Sequence, residues 1–173
     1  MIRRVSAAFL AAASCAVLAV GCGGESSTAN DASSAADSTA AATVTLAAFL
    51  KQADSICASA RKETLAGFVA YLEEKGIKEI GGKGESPAQA EARKAEVIET
   101  LGIPSLREQQ KAIRAIGLPQ EKEDAAEAYL EASEASLAEA ESNPVRLYDS
   151  AKELFAKSDK LAGQLGLEVC GNR

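Results

Sequence analysis

Four cysteines and no histidine bound the chemistry open to this 173-residue chain. Without histidine the commonest general base, the commonest metal ligand and the usual partner of a serine or cysteine nucleophile are missing. Haem would lack its histidine and, because the single methionine is Met1, its methionine as well. The Glu-x-x-His pairs of di-iron bundles cannot be assembled. Asp, Glu, Lys, Tyr and Ser remain, and no pair of them stands out as an acid–base couple. No catalytic, cofactor-binding or metal-ligating residue is therefore assigned. Gly81-Gly82-Lys83-Gly84 lacks the Lys-Ser/Thr that completes a phosphate-binding loop and has no predicted strand before it, so it reads as a mobile loop.

The densest charge is acidic. Glu121, Glu123, Asp124, Glu127, Glu131, Glu134, Glu139 and Glu141 face only Lys122 within their segment, and like charges at helical spacing repel by about a few tenths of a kcal/mol per pair. Such a row could hold Ca²⁺ weakly or dock a cationic partner. The plainer reading is a solvated face answered by Arg107, Lys111 and Arg114, which recur at i, i+4 and i+7. EF-hand spacing is absent, which favours the plainer reading. Tyr71, Tyr129 and Tyr148 could line a pocket, but each lies near an apolar stripe, where a core or boundary tyrosine is the usual outcome.

The amino-terminal residues give an address. Arg3 and Arg4 precede an uncharged run from Val5 to Val20, near the upper limit for a signal-peptide core and short for a relaxed membrane span. Leu18-Ala19-Val20-Gly21-Cys22 at its end resembles the lipobox of bacterial lipoprotein signal peptides. The resemblance implies diacylglycerol on the Cys22 thiol and cleavage before it. An ordinary secretory peptide or an uncleaved anchor, with Cys22 incidental, is the alternative. The coincidence of basic start, apolar run, small residue and cysteine argues for lipidation. Stable anchoring takes two acyl chains or more at about 0.8 kcal/mol per buried methylene, and a diacylglyceryl group supplies them. The expected location is the cell membrane, lipid-anchored on the extracytoplasmic face.

Residues 1–21 hold two of the 19 basic residues and none of the 25 acidic ones, so the 152 residues that follow carry a balance of −8. An acidic surface is repelled by anionic lipid and nucleic acid alike, so the membrane is engaged through the lipid on Cys22 and no nucleic-acid partner is expected. Cys15 leaves with the leader. Cys57 and Cys170 remain in an oxidising compartment, where pairing is the simplest assumption and two buried thiols or a redox pair the alternative. No CxxC motif and no histidine is present to lower a thiol pKa.

Residues 22–44 read as a Ser/Ala/Thr/Gly-rich tether. The stretch has almost no large apolar residue and three unpaired carboxylates (Glu25, Asp31, Asp37), too little to offset ordering entropy. As a flexible coil it reaches about 25 Å. Residues 45–173 read as one helical domain. Leu46, Phe49, Leu50, Ala53, Ile56, Cys57, Ala60, Phe68 and Leu72 mark one face of a first helix ended by Gly76. Ser86-Pro87-Ala88-Gln89 is a capping box opening a second helix to Leu101, which Gly102-Ile103-Pro104 breaks. Ser105-Leu106-Arg107-Glu108 opens a third, ending at Gly117. A fourth runs from about Gln120 to Ser142, with Ala126, Tyr129, Leu130, Ser133, Leu137 and Ala140 inward. Asn143-Pro144 caps a fifth, with Val145, Tyr148, Ala151, Leu154, Phe155, Leu161, Ala162 and Leu165 as its stripe, ended by Gly166. Short loops predict an all-α, up-and-down bundle of about four to five antiparallel helices, with an alanine-rich, thin core that packs without a cavity.

Asp54-Ser55-Ile56-Cys57, Ile103-Pro104 and Leu165-Gly166-Leu167-Glu168-Val169-Cys170-Gly171 together resemble a pattern in uncharacterised secreted and lipid-anchored bacterial proteins, "ADxIC" early in the domain and "GL..CG" at its end. The resemblance spans Leu46 to Gly171. It implies a helical fold closed by Cys57–Cys170 and transfers no catalytic residue.

Two functions fit these residues. A non-enzymatic interaction module contacting an envelope protein or the wall follows from the anchor, the tether and the missing catalytic constellation. A small-ligand binder serving a transporter or sensor needs a pocket between helices, which the alanine-rich stripes argue against. An enzyme ranks last.

Overall fold

The computed structural model describes residues 44–172. The leader, Cys22 and the tether lie outside the described residues, apart from Val44.

Helix α1 spans Leu46–Lys75. The Thr45 side chain caps its start by accepting from the Ala48 N–H, and Gly76 ends it at φ 67°. There the Ile77 N–H reaches back to the Leu72 carbonyl at 3.0 Å, as in a Schellman turn. At 1.5 Å per residue α1 is a rod of roughly 45 Å, and α3 packs along it. Helix α2 (Pro87–Val97) begins with the expected capping box, Ser86 and Gln89 bonding each other's backbone N–H.

The expected break at Gly102-Ile103-Pro104 does not occur. Residues Ile98–Gly102 form a π-helical turn and α3 (Ile103–Ile116) follows directly. Pro104 has no N–H to give, and its ring crowds the carbonyl four residues back. A widened turn, in which the Ile103 N–H donates to the Ile98 carbonyl, absorbs the proline without ending the helix. Ser105 is accordingly inside a helix, and its hydroxyl shares a 2.7 Å hydrogen bond with Thr64 on α1 instead of forming a cap. Gly117 at φ 85° ends α3.

After a short 3₁₀ turn (Gln120–Lys122), α4 covers Glu123–Ser142, with all six expected inward residues buried. Asn143 caps α5 (Pro144–Leu154) by accepting from the Arg146 N–H. The fifth helix expected from sequence is interrupted: Ser150 leaves helical geometry within α5 (φ −142°, ψ 37°), and Phe155 (φ −98°, ψ 6°) separates α5 from α6 (Ala156–Leu165). Ser136 of α4 donates to the Leu154 carbonyl at 2.8 Å, and Phe155 is buried at the corner. Helix α5 packs against both α2 and α4, and α6 packs against α4.

The helices pack antiparallel, as expected. Thr64 meets Ser105 and Tyr71 meets Glu96 between α1 and the α2–α3 rod, while Gln110 meets Ser133 between α3 and α4. Among the described residues there is no strand beyond an isolated bridge between Val44 and Pro119. Two clusters form the core. One gathers Phe49, Ala53, Cys57, Ile113, Tyr129, Leu130, Ala162, Leu165 and Cys170, and a smaller one gathers Ala140, Leu147, Leu154 and Phe155.

Candidate functional site

One stripe of α1 grips the end of the chain. Cys57 is disulfide-bonded to Cys170, with Cα atoms 5.3 Å apart, inside the usual range for such a bridge. One turn earlier, the Asp54 carboxylate accepts three backbone N–H groups, from Glu168 at 3.0 Å, Val169 at 2.8 Å and Cys170 at 3.0 Å. One turn later, the Arg61 guanidinium donates to the Val169 carbonyl at 3.0 Å and to that of Asn172. Asp54, Cys57 and Arg61 thus hold the terminal turn by its amides, its sulfur and its carbonyls. The turn's own residues are chosen to fit. Gly166 ends α6 at φ 104°, and a Cβ on Gly171 would sit 2.9 Å from the Ala162 Cβ and 3.0 Å from the Asp159 carbonyl oxygen. Sequence reasoning found the cysteines but missed the parts played by Asp54 and Arg61. Their spacing of three and four residues about Cys57 was the available signal.

Beside this clasp lies a cleft of about 650 Å³. Ala60, Thr64, Leu65 and Phe68 of α1 form one wall; Val97, the π turn and Leu106 form the second; Leu147, Tyr148 and Ala151 of α5 form the third. Cys57, Val169 and Cys170 close one end. The cavity-free packing expected from the alanine content is not what the structure has. Ala60 and Ala151 line the cleft with little side chain, whereas Ala53, Ala126 and Ala162 are fully buried in the larger core. Small residues permit close approach, but only where the backbone geometry brings the helices together.

The cleft is mainly aliphatic. Thr64, Ser105, Gln109 and Arg61 supply its polar edge, and Arg61 is the one charged side chain among its described lining residues. Leu65 stands at its mouth, 63% exposed. Tyr148, half-buried as a boundary tyrosine, also lines the cleft. Its ring lies 6.5 Å from that of Phe68, and the Lys94 ammonium is 5.3 Å from its centre. Asp149 bonds Lys94 at 2.6 Å and raises its pKa. Tyr129 is buried in the larger core. Tyr71, also buried, donates to Glu96 at 2.9 Å. Burial, and then that hydrogen bond to a carboxylate, push its pKa up to about 12. Hydrogen bonds from Lys75 and Tyr71 hold Glu96 below the usual carboxylate range.

Three carboxylates of the acidic helix are answered by neighbouring arginines. Arg114 pairs with Glu134 at 2.6 Å, Arg107 with Glu141, and Arg146 with Glu139. Lys111 departs from the expected trio, sitting 4.0 Å from Glu108 on its own helix. Glu121 accepts from the Leu46 N–H at 3.2 Å. Among the described residues no three His, Cys, Asp or Glu side chains gather as a metal site. The glycine-rich loop is tied down by Glu85, which accepts from the Gly81 N–H at 2.5 Å and pairs with Arg93 at 2.6 Å. The lining of the hollow beside it mixes Lys78, Lys83 and Arg93 with Glu79 and Glu85.

No helix of the described residues is long and apolar enough to cross a membrane. No family model, curated protein or solved structure matches the chain.

Proposed function

We propose that this domain is a non-enzymatic, extracytoplasmic binding protein for a small apolar ligand, tethered to the membrane by lipid on Cys22. The cleft carries the reading. A volume of about 650 Å³ is that of a ligand site, and an apolar lining with a few converging polar groups is the usual composition of one. No pair of titratable side chains faces into it that would do acid–base chemistry, so binding is the activity it supports. Delivery to a transporter or sensor is the corresponding role. The lipid anchor rests on the lipobox, and mass spectrometry of the purified protein checks it by finding Cys22 acylated.

The test of binding is a neutral apolar fluorophore titrated against the domain purified free of lipid. Saturable enhancement that Ala151→Trp abolishes, with the melting temperature retained, is the expected result. A fluorophore that does not bind, or binds equally well once the cleft is filled, removes the reading.

The sequence by itself placed an interaction module first, and one observation keeps that second reading. Leu65 and Val69, 63% and 46% exposed, lie one turn apart on α1 as apolar surface that a protein partner would cover. Cross-linking in intact cells through a photoreactive residue at position 69 should then capture one specific envelope protein; a domain never captured with a partner argues against it.

A further inference from the structure

Which ligand the cleft takes is written in the one charge on its rim. Among the described residues, every other charged side chain lies outside the lining of the cleft. Arg61 is anchored from one side: a single guanidinium nitrogen, Nη2, donates to the carbonyls of Val169 and Asn172. A guanidinium has five N–H donors in a planar fork, so those on Nη1 and Nε are left to point elsewhere. The two carbonyls fix the fork's orientation in advance, which lowers the cost of using it. The Asp54 carboxylate, the nearest acid on the same stripe of α1, is occupied by three backbone N–H groups and is not among the residues lining the cleft.

Polarity also runs one way along the cleft. Arg61 and Leu65 are exposed, one turn apart at the mouth, whereas Val97 and Leu147 are buried in its walls. A molecule that satisfies both ends has a charged head at the water and an apolar chain inside. Resting on the ligand-binding reading above, we propose that the cleft holds a single-chain anionic amphiphile, its alkyl chain among Phe68, Val97, Leu106 and Leu147 and its carboxylate or phosphate head on Arg61. Both heads accept two N–H groups side by side from an arginine fork. The chain supplies most of the affinity and the arginine supplies the choice of head.

Calorimetry with dodecanoate, dodecyl phosphate and dodecanol on the intact domain tests this. At least one of the two anions is expected to bind about tenfold or more tightly than the alcohol, the factor a charge-assisted hydrogen bond gives, and the better anion names the head. The advantage should shrink as salt is added. Arg61→Gln should bring the anions down to the alcohol's affinity while leaving the alcohol unchanged, which also shows that the cleft survives the substitution. Arg61→Lys should keep only part of the preference, because an ammonium supplies the charge without the planar fork. Equal affinities for all three in the unaltered protein, or an anion preference that persists in Arg61→Gln, overturns the assignment of the head but leaves an apolar site standing. Failure of all three to bind, together with failure of the neutral fluorophore, overturns the site itself.

Discussion

Two regions of this bundle are built from the same kinds of residue and differ in how they are closed. At the disulfide end, α1, α3, α4 and α6 converge on Phe49, Ile113, Tyr129 and Leu130, all buried, with alanines fully covered between them. Elsewhere four buried residues, Ala140, Leu147, Leu154 and Phe155, form a smaller cluster, and the cleft runs from Leu147 back to the Cys57–Cys170 bridge. Alanine supports dense packing in the first region, and Ala60 and Ala151 line the cleft with little side chain. The filled region carries stability and the cleft has room for a ligand.

The largest expected effect is in the filled region. The Cys57–Cys170 bridge spans 113 residues of sequence, and removing it with the Cys57→Ala/Cys170→Ala pair should cost about 4–5 kcal/mol in the chain-entropy model, read by denaturant unfolding. A loss below about 1 kcal/mol would show that Asp54 and Arg61 already hold the terminus without it.

Truncation of a leucine in each region sharpens the contrast. Leu130→Ala should cost about 3–4 kcal/mol, as for a fully packed leucine. Leu147→Ala should cost about half as much, because atoms facing the cleft already lack partners on one side. Equal losses in chemical denaturation would mean that the cleft is closed in solution.

The smallest effect is in the polar contacts that Glu96 of α2 makes with Tyr71 and Lys75 of α1. Folding favours neutral Tyr71, whose pKa rises from 10.0 to about 12. Its contribution is therefore complete below pH 10 and is lost as the pH climbs through the folded value. Melting temperatures taken across that window should fall about a few degrees further in the unaltered protein than in Tyr71→Phe; parallel curves would show that the buried phenol contributes nothing. Glu96 has the opposite sign. Its depressed pKa stabilises the fold at neutral pH, and that contribution fades as acid reprotonates the carboxylate.

Much of the helical plan was legible because each signal is local. Thr45, Gly76, the Ser86–Gln89 box, Gly117, Asn143 and Gly166 all act within a turn or two of their own position, and all mark helix ends in the structure. Two junctions were not. Pro104 would have ended a helix in isolation, and the π turn that accommodates it gains its support from packing on α1 and α5. The corner at Phe155 follows from a hydrogen bond out of another helix, Ser136 to the Leu154 carbonyl. The cleft was illegible for a related reason. Periodicity tells which residues turn inward, and it is silent on whether the opposing wall arrives.

What the amino-acid sequence decided alone was the set of parts: helical stripes, caps, a thin alanine-rich interior, two late cysteines and a chain without histidine. These depend on residue type and short spacing. Only the tertiary structure decided that Asp54 and Arg61 clasp the terminal turn on either side of the disulfide, and that three helix walls stand apart around Leu147 and Tyr148. Both arise from groups more than a hundred residues apart, or on different helices, meeting in space, where van der Waals distance and hydrogen-bond geometry take over from pattern.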